Sequence, residues 1–401
     1  MKIAAIVCEY NPFHTGHAHH IAKTREKTGA DAILCLMSGN FVQRGRPAMF
    51  DKFFRAEMAL LNGADLVLEL PFCYAGQSAA YFAQGAVRML QDTGVVTHLS
   101  FGTETADLEK LQTIAHGLAQ ESEEFRQELK SQLKMGVKYP LARARALDIP
   151  TLTGSNDILA IEYLLAIKRF GAAFSPIVIK REGAGYNQAD IPKEDAYISA
   201  TGLRGLLRRG ELDRALDFVQ DNCHRQLKEK INCGQYTDFE VLSSYVLGKL
   251  RTMTAEEIAD YPDVSEGLEN RIKQAAVCSI DMAHLLENIQ TKRYTQTRIA
   301  RILCNIAVGL KKQDFTRFQK NGAGYLRVLG ATETGQRVLK KIKTQTMMPV
   351  LTKAAHSDRM DSYAKDIFAL EMCAGDVFAL CMESKQHRAG GQDYFTSPVM
   401  I

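Results

Sequence analysis

An apolar strand gives way to a histidine-bearing helix within the stretch Cys8-Glu9-Tyr10-Asn11-Pro12-Phe13-His14-Thr15-Gly16-His17. The preceding Met1–Val7 run is apolar and β-rich, and Pro12 ends the strand because proline cannot donate to a strand ladder. Gly16 allows a ligand to approach the backbone closely, and a new helix begins with free N–H groups and the positive end of its dipole. Such a turn predicts a phosphate-binding site.

Two histidines three residues apart, His14 and His17, could also be simple helix caps or surface residues. The neighbouring Asn-Pro-Phe sequence and Gly16 favour a functional role, because imidazole N–H groups beside bound phosphate can stabilise a developing oxyanion. We interpret His19 and His20, from the residues alone, as helix surface or core positions. No acidic residue or cysteine stands at a matching spacing, so the sequence predicts no metal site.

The strand-helix alternation continues beyond this first unit. Four further apolar runs predict strands, at Asp31–Met37, Asp65–Leu70, Val95–Phe101 and Ser175–Ile179. Helical segments separate them, as right-handed crossovers between parallel strands require. We therefore expect an α/β fold with a doubly wound parallel sheet.

Polar residues follow several of these strands. The candidates are Asn40, Gln43 and Arg44 after the second strand, Gly102 after the fourth, and Lys180 and Arg181 after the fifth. Each has an ordinary alternative, because loops carry arginines, turns carry glycines and strand ends carry solvated charges. In a parallel sheet, however, the carboxyl ends of the strands meet at one edge, where ligands bind. We expect these residues to surround one pocket.

Two helix starts add candidates to the same pocket. Asn156 lies in Gly154-Ser155-Asn156-Asp157 and is read most simply as a helix cap. In Ile198-Ser199-Ala200-Thr201-Gly202-Leu203-Arg204, either Ser199 or Thr201 could cap a helix or hold phosphate, with Arg204 one turn further on.

The chain is long enough for two domains, with 401 residues of which 46% are hydrophobic. Beyond about Glu211 the pattern becomes mainly helical, so we expect one domain at 1–212 and a mainly α-helical domain at 213–401. The net charge of +4 permits an anionic partner without requiring one. Nine scattered cysteines, no signal segment and no membrane-length apolar run indicate a cytoplasmic protein with reduced thiols.

A basic segment in the second part is the best candidate for nucleic acid. Helical spacing buries Ile299, Ile302, Leu303, Ile306 and Leu310, and directs Arg298, Arg301 and Asn305 toward another face. Tyr294 offers a surface for base stacking, and Lys311-Lys312 would end the helix. The candidate RNA-binding residues are Lys292, Arg293, Tyr294, Arg298, Arg301, Lys311 and Lys312. A solvated helix face is the alternative, because no recognised nucleic-acid motif accompanies them.

Two of these motifs carry a resemblance to a known superfamily. His14-Thr15-Gly16-His17 resembles the HxGH signature of nucleotidylyltransferases, and Ile198–Arg204 resembles their second phosphate motif, with Ala200 departing from the usual serine. The remaining segments are similar over essentially the whole chain to the bacterial tRNA(Met) cytidine acetate ligase family. Those segments are Glu9–His14, Ser38–Gly45, Leu70–Phe72, Phe101–Glu104, Gly154–Asp157 and Thr291–Thr295.

The resemblance implies a Rossmann-like nucleotidylyltransferase fold and a two-step reaction. Acetate would attack the α-phosphate of ATP, giving acetyl-adenylate, and the acetyl group would pass to the wobble cytidine of elongator tRNA(Met), giving N4-acetylcytidine. Mg²⁺ is expected with ATP, and no stable protein partner is expected. The implied catalytic residues are His14, His17 and Arg181. The implied ATP-binding residues are Val7, Cys8, Glu9, Tyr10, Asn11, Pro12, Phe13, His14, Thr15, Gly16, His17, Ala18, His19, His20, Gly102, Asn156 and Arg181.

Other functions use the same features. A small-molecule adenylyl- or cytidylyltransferase would need the same N-terminal site, but it gives no reason for a large basic helical domain. A non-catalytic RNA-binding factor could use nucleotide as a switch. An acetyl-CoA-dependent acetyltransferase is less well supported, because no matching pyrophosphate loop for CoA is found.

Overall fold

The computed structural model describes residues 1–120, 123–135, 137, 142, 145–146, 154–181, 197–265 and 267–401. Eight of its strands form one sheet, and two short strands form a separate hairpin. The strands are β1 Ile3–Cys8, β2 Ala32–Ser38, β3 Phe41–Val42, β4 Arg46–Pro47, β5 Leu66–Leu70, β6 His98–Thr103, β7 Ser175–Lys180, β8 Leu326–Ala331, β9 Val350–Leu351 and β10 Val399–Met400.

Helices connect and cover these strands. In the first part they are α1 Thr15–Thr28, α2 Lys52–Leu61, α3 Phe72–Ala75, α4 Ala79–Asp92, α5 Leu108–Gln120, α6 Glu123–Lys134, α7 Ser155–Phe170 and α8 Ala200–Arg208. They continue as α9 Leu212–Leu216, α10 His224–Asn232, α11 Ser243–Thr252, α12 Ala255–Ala259, α13 Leu268–Cys278, α14 Met282–Ile289, α15 Gln296–Val308, α16 Lys312–Asn321, α17 Glu333–Gln345, α18 Ser362–Leu380 and α19 Gln392–Phe395. Within the described residues, no helix has both the length and the apolar character needed to cross a membrane.

The sheet has the strand order β10-β8-β5-β2-β1-β6-β7, with β9 beside β8. All pairings from β5 to β7 are parallel, whereas β8 runs antiparallel to β5. The chain moves outward from β1 in one direction through β2 and β5, and in the other through β6 and β7. The carboxyl ends of β1 and β6 therefore flank the topological switch point, where open α/β sheets bind ligands.

Local sequence accounts for these elements. β2 is buried along its whole length, as expected of a central strand with helices on both faces. Alternating residues of the sheet enter two cores: Leu34 belongs to one and Ile33 to the other. Asp51 caps α2 by accepting the Phe54 N–H at 2.9 Å. Six of the nine free cysteines are buried, in agreement with mostly core thiols.

The predicted Rossmann-like sheet followed by mainly helical structure is confirmed, with one addition. Strands β8 and β10, from the second part of the chain, extend the sheet beyond β5. One hydrophobic core also runs from the sheet into the later helices, including Leu34 and Ile299. The boundary between 212 and 213 stays a prediction: it falls within α9, and the sheet and this core draw on both parts of the chain.

Candidate active site

A cavity of about 590 Å³ lies at the carboxyl ends of β1, β6 and β7. Its wall is built from segments far apart in sequence, which the sheet and the later helices bring together. The sequence candidates in this wall are Val7, Cys8, Glu9, Tyr10, Asn11, His14, Gly16, His17, His19, His20, Gln43, Arg44, Gly102, Asn156, Lys180, Arg181, Thr201 and Arg204. The expected convergence on one pocket is thus present in the structure.

The start of α1 fixes the orientation of both signature histidines. His14 is the N-cap, and its Nδ1 accepts the Gly16 N–H at 3.1 Å. In return, the His14 backbone N–H donates to Nδ1 of His17 at 3.3 Å, which completes a capping box. Because both Nδ1 atoms are acceptors, each neutral ring carries its proton on Nε2. The two rings stack with centroids 3.8 Å apart, so two N–H donors lie side by side in the cavity wall.

The same environment keeps these imidazoles uncharged. Burial lowers the pKa of His14 to about 3, and the positive charges of Arg181 and Arg204 act in the same direction. Burial also lowers the pKa of His17 well below its ordinary value, with a further contribution from His14. At neutral pH both histidines are therefore neutral hydrogen-bond donors. Such donors can bind an oxyanion without a change in their own protonation.

The next turn of α1 adds two more imidazoles to the wall. Nε2 of His20 lies 3.1 Å from Oγ of Ser100 on β6, and burial lowers the pKa of His20 to about 4. Nδ1 of His19 lies 3.0 Å from the Tyr197 hydroxyl. These contacts join α1 to β6 and to the segment before α8. From the residues alone, we interpret His19 and His20 as helix surface or core positions. That interpretation did not predict that both residues line the cavity.

Gly102, Asn156 and Arg181 meet at the ends of β6 and β7. Nη1 of Arg181 donates to Oδ1 of Asn156 at 3.4 Å, and Nδ2 of Asn156 donates to Glu104 at 2.7 Å. A Cβ on Gly102 would lie 3.3 Å from Cγ of Arg181, so glycine lets the arginine side chain lie close to the strand. Asn156 thereby contacts the guanidinium; the prediction that it caps the helix is wrong, because Gly154 is the N-cap of α7. The result is a cation placed across the crevice from α1.

The second motif places an arginine under the HxGH turn. Oγ of Ser199 accepts the Gly202 N–H at 3.0 Å as the cap of α8. Arg204 donates to the backbone oxygen of Asn11 and, at 3.1 Å, to Oγ1 of Thr201. Thr201 and Arg204 line the cavity. Ser199 does not, so the structure assigns it the capping alternative.

A hairpin of β3 and β4 forms another part of the wall. Oε1 of Glu9 accepts the Gln43 N–H at 2.8 Å, which ties the end of β1 to this hairpin. Gly45 has φ +69° and packs so tightly on α15 that a Cβ would lie 2.2 Å from the Arg301 backbone nitrogen. Sγ of Cys304 contacts the Gly45 oxygen at 3.0 Å. The hairpin is therefore held between the turn that follows β1 and helix α15.

Sequence reasoning missed many lining residues. The apolar ones include Phe82, Phe101, Leu159, Tyr163, Ile179 and Phe239, and the polar ones include Arg46, Tyr197, Arg208, Gln296 and Thr297. Most lie within helices or strands and carry no motif, so only tertiary packing brings them to the site. Within the part of the chain that the structure describes, no group of three His, Cys, Asp or Glu side chains is arranged to hold a metal ion.

Comparisons with known proteins agree with this geometry. The family described as HIGH Nucleotidyl Transferase matches residues 1–393. The tRNA(Met) cytidine acetate ligase of Acetivibrio thermocellus is 37% identical, with 100% of both chains covered, and that of Clostridium kluyveri is 38% identical, with 100% of this chain and 99% of the relative covered. The chain belongs to the tRNA(Met) cytidine acetate ligase family.

Solved structures similar to this chain include a member from Thermotoga maritima. A crystal structure of Thermotoga maritima TmcAL bound with alpha-thio ATP has a TM-score of 0.93 at 32% identity, and an apo form has a TM-score of 0.95 at the same identity. Both comparisons cover 100% of each chain. The fold of the family therefore extends over the whole chain, including the helical part.

Some candidates in the nucleotidylyltransferase part lie outside the cavity wall. Asn40 is buried, and its Oδ1 accepts the Lys52 N–H at 3.0 Å, so it holds the start of α2 instead of lining the pocket. The side chains of the HxGH stretch that also lie outside the wall are those of Pro12, Phe13, Thr15 and Ala18. Their contribution is to the shape of the turn that carries the histidines.

The helical candidates need corrections as well. Asn305 is fully buried and accepts from Gln77, so it does not lie on an exposed face with the arginines. Tyr294 is 8% exposed and packs against Arg298, which removes the proposed base-stacking surface. The helix ends at Val308 because Gly309 adopts a left-handed conformation, and Lys311 and Lys312 begin the next helix instead of ending this one.

The basic residues of this segment fall into two groups. Arg298 donates to the Asp263 backbone oxygen at 2.7 Å, and Arg301 pairs with the Asp263 carboxylate at 3.4 Å. Lys312 donates to backbone oxygens at the end of α12, and Lys311 lies 4.0 Å from the Tyr261 ring centre. These four side chains therefore have structural contacts. Lys292 and Arg293 are exposed just before α15, whose first residues reach the cavity.

Proposed function

We propose that this protein uses ATP to activate acetate as acetyl-adenylate and transfers the acetyl group to the wobble cytidine of elongator tRNA(Met). The observation that carries the proposal is the pair of neutral, capped histidines, His14 and His17, at the switch point of the sheet. Relatives similar over the full length are named for this ligase activity. The product would be N4-acetylcytidine.

In the first step, an acetate oxygen attacks the α-phosphorus of ATP and pyrophosphate leaves. Negative charge moves onto the phosphoryl oxygens, and the Nε2–H groups of His14 and His17 together with the start of α1 are placed to stabilise it. Lys180, Arg181 and Arg204 supply positive charge around the same space. Positioning and charge stabilisation suffice for this chemistry, so no protein nucleophile takes part.

In the second step, the cytidine amine attacks the acetyl carbonyl. A C–N bond forms, the bond from the acetyl carbon to the adenylate oxygen breaks, and AMP leaves while the amine loses a proton. Both steps use the same acyl group, so the cytidine must reach the cavity while acetyl-adenylate is bound. In this proposal the cytidine enters beside the walls that β3, β4 and α15 contribute to the cavity.

We also propose that Mg²⁺ accompanies ATP. Mg²⁺ is commonly held by substrate phosphates with one or two carboxylates, and it keeps several waters. The described cavity wall fits an ion held mainly by phosphates and waters better than a cage made by protein alone, since it holds a single carboxylate, Glu9, which accepts a backbone N–H. The ion would neutralise phosphate charge, and the steps above rest on this chain's own side chains.

The helical part, 213–401, would hold the tRNA outside the cavity. Lys292 and Arg293 remain the exposed candidates, because they precede the α15 residues that line it. Contacts of this kind to phosphates weaken with salt. We expect the protein to act in the cytoplasm, where its substrate is found.

Incubation of the purified protein with labelled acetate, ATP and unmodified elongator tRNA(Met) tests the proposal. We expect label in the tRNA, recovered as N4-acetylcytidine after nuclease digestion. The matched control is the same tRNA with uridine in place of the wobble cytidine, which should take up no label. The proposal would be contradicted if the wild-type tRNA took up no label. It would also be contradicted if labelling required acetyl-CoA in place of acetate and ATP. Pyrophosphate release driven by a phosphorylated metabolite would indicate a small-molecule nucleotidylyltransferase.

A further inference from the structure

Three arginines form what we call the basic end of the cavity: Arg44, Arg46 and Arg208. They come from the hairpin and from the last turn of α8. Arg181 acts on both signature histidines and Arg204 acts on His14, whereas the cations that act on Arg46 are Arg208 and Arg44. The basic end is therefore electrostatically distinct from the histidine-lined end of the same cavity.

Gathering these guanidiniums costs free energy in the protein alone. Burial lowers the pKa of Arg46, and repulsion by Arg208 and Arg44 lowers it further, with partial compensation from Cys304 and Glu240. The fold nevertheless holds the hairpin rigidly, because Gly45 packs directly on α15 and contacts Cys304. A fixed cluster of like charges facing a cavity is complementary to an anion.

We propose that the basic end binds the phosphodiester groups that flank the target cytidine. The inference rests on the proposed function and deepens it, since it locates the RNA backbone at the cavity. Guanidiniums suit phosphodiesters because their N–H groups match two phosphate oxygens at once. Gln296 and Thr297 at the start of α15 line the same wall and continue toward the exposed Lys292. The RNA backbone would thus run from the helical part to the cavity.

The test compares Arg46→Ala and Arg208→Ala with Arg209→Ala. Arg209 directly follows α8 as its C-cap, but it lies outside the cavity wall and pairs with Glu211. For each variant, acetate-dependent exchange of pyrophosphate into ATP is measured without RNA, and acetyl transfer is measured against tRNA concentration at several salt concentrations. Exchange should stay within about two-fold of wild type. The salt slope of tRNA binding should fall by about 1 for each cavity arginine removed, and stay unchanged in Arg209→Ala.

The outcomes separate this inference from the function beneath it. If the wild-type protein showed no acetate-dependent exchange, the proposed function itself would be contradicted. Normal exchange with an unchanged tRNA salt slope in both cavity variants would overturn the basic-end assignment. Exchange lost in Arg46→Ala but retained in the wild type would also overturn it, because the arginine would then act on the nucleotide. Arg46→Lys and Arg208→Lys keep the charge and should restore the slope.

A second observation concerns Glu9, which joins the histidine-lined turn to the basic end. Among the described residues that line the cavity, it is the only carboxylate. Its Oε1 accepts the Gln43 N–H at 2.8 Å, and the residue lines the cavity. The two signature histidines are poorly suited to accept a proton because their Nδ1 atoms are already acceptors and their Nε2 atoms are protonated.

We infer that Glu9 accepts the proton released by the cytidine amine during acetyl transfer. As the C–N bond forms and AMP leaves with the bonding electrons, the amine proton would pass to the Glu9 carboxylate. Burial raises the pKa of Glu9, which makes it a stronger base, while the Gln43 N–H and the facing Arg204, Arg55 and Arg44 oppose the rise.

Glu9→Gln tests this role with little structural change, because the amide oxygen can still accept from Gln43. Acetyl transfer at saturating tRNA should slow about 10²–10⁴-fold, which is much more than any change in pyrophosphate exchange. The acidic limb of the transfer pH profile should disappear. Equal losses in exchange and transfer, or an unaltered pH profile, would contradict the inference. Glu9→Asp should recover part of the transfer rate.

Discussion

Charged side chains gather at two places beside the sheet. One is the cavity, and the other is a sealed cluster of Lys52, Glu69, Arg327, Glu371 and Asp393. In the sealed cluster the charges pair with one another: the Lys52 ammonium lies 2.6 Å from both Glu69 and Asp393, and Arg327 lies 3.0 Å from Asp393. In the cavity, by contrast, the two signature histidines and several arginines line a space of about 590 Å³. Both places shift pKa values, but only one has room for a ligand.

The count of charges shows how each place is balanced. The sealed cluster has three carboxyl groups for two cations, and burial together with repulsion by Glu69 raises the pKa of Glu371 to about 8. A proton on Glu371 therefore restores neutrality. In the cavity, we propose that ATP and RNA phosphates take the corresponding role. A perturbed pKa thus indicates a functional site only where the group also faces accessible space.

The largest effect on stability is expected when the sealed cluster loses a cation. Lys52→Met leaves buried carboxylates without their central partner, and the free energy of unfolding should fall by about 3–5 kcal/mol. Urea unfolding checks this value. The control is Lys23→Met, whose solvent-exposed pair with Glu26 should contribute little to stability. If Lys52→Met lowered the free energy of unfolding as little as the control does, the sealed cluster would not differ from the cavity in the way described.

The corresponding change in the cavity should affect chemistry more than folding. His17→Ala removes one Nε2–H donor, so acetate-dependent pyrophosphate exchange should fall about 10²–10³-fold, as for loss of an oxyanion donor. Loss of its part of the capping box should cost about 1 kcal/mol of stability. His14→Ala should behave similarly, with tRNA binding largely retained. Full exchange activity in both folded variants would contradict the phosphate role.

Glu371 should give the sealed cluster a pH dependence. Its folded-state pKa is raised from 4.5 to about 8, so between these values the folded state binds more protons than the unfolded state. This group therefore makes stability fall as pH rises through that range, by at most about 1.4 kcal/mol per pH unit. Glu371→Gln should flatten the curve measured by urea unfolding at pH 5 to 8. An unchanged slope in this variant would assign the proton to another group.

The smallest effect is expected at Asn40, which sequence position placed in the pocket. Asn40→Ala removes the acceptor for the Lys52 N–H and should lower stability by about 1 kcal/mol. Pyrophosphate exchange by the folded fraction should remain within two-fold of wild type. A large fall in pyrophosphate exchange without a loss of stability would show that Asn40 does act in the active site.

Periodicity and turn chemistry were enough to predict the five parallel strands and the turn that carries His14 and His17. They could not predict β8, because Arg327 interrupts its apolar pattern and is tolerated only through burial against Glu69 and Asp393. Arg46 and Arg208 belong to no recognised sequence motif. Their approach to one another depends on how the hairpin packs against α15. The prediction that Lys311 and Lys312 end α15 is wrong, because Gly309 already ends that helix in a left-handed conformation.

The central claim is that the histidine-lined end of the cavity activates a carboxylate before RNA takes part. The most direct measurement is exchange of labelled pyrophosphate into ATP by the wild-type protein, with and without acetate and without RNA. The account predicts exchange that requires acetate and proceeds without tRNA. Exchange that proceeds equally well without acetate would contradict the central claim. Exchange that requires a phosphorylated small molecule in place of acetate would contradict it as well.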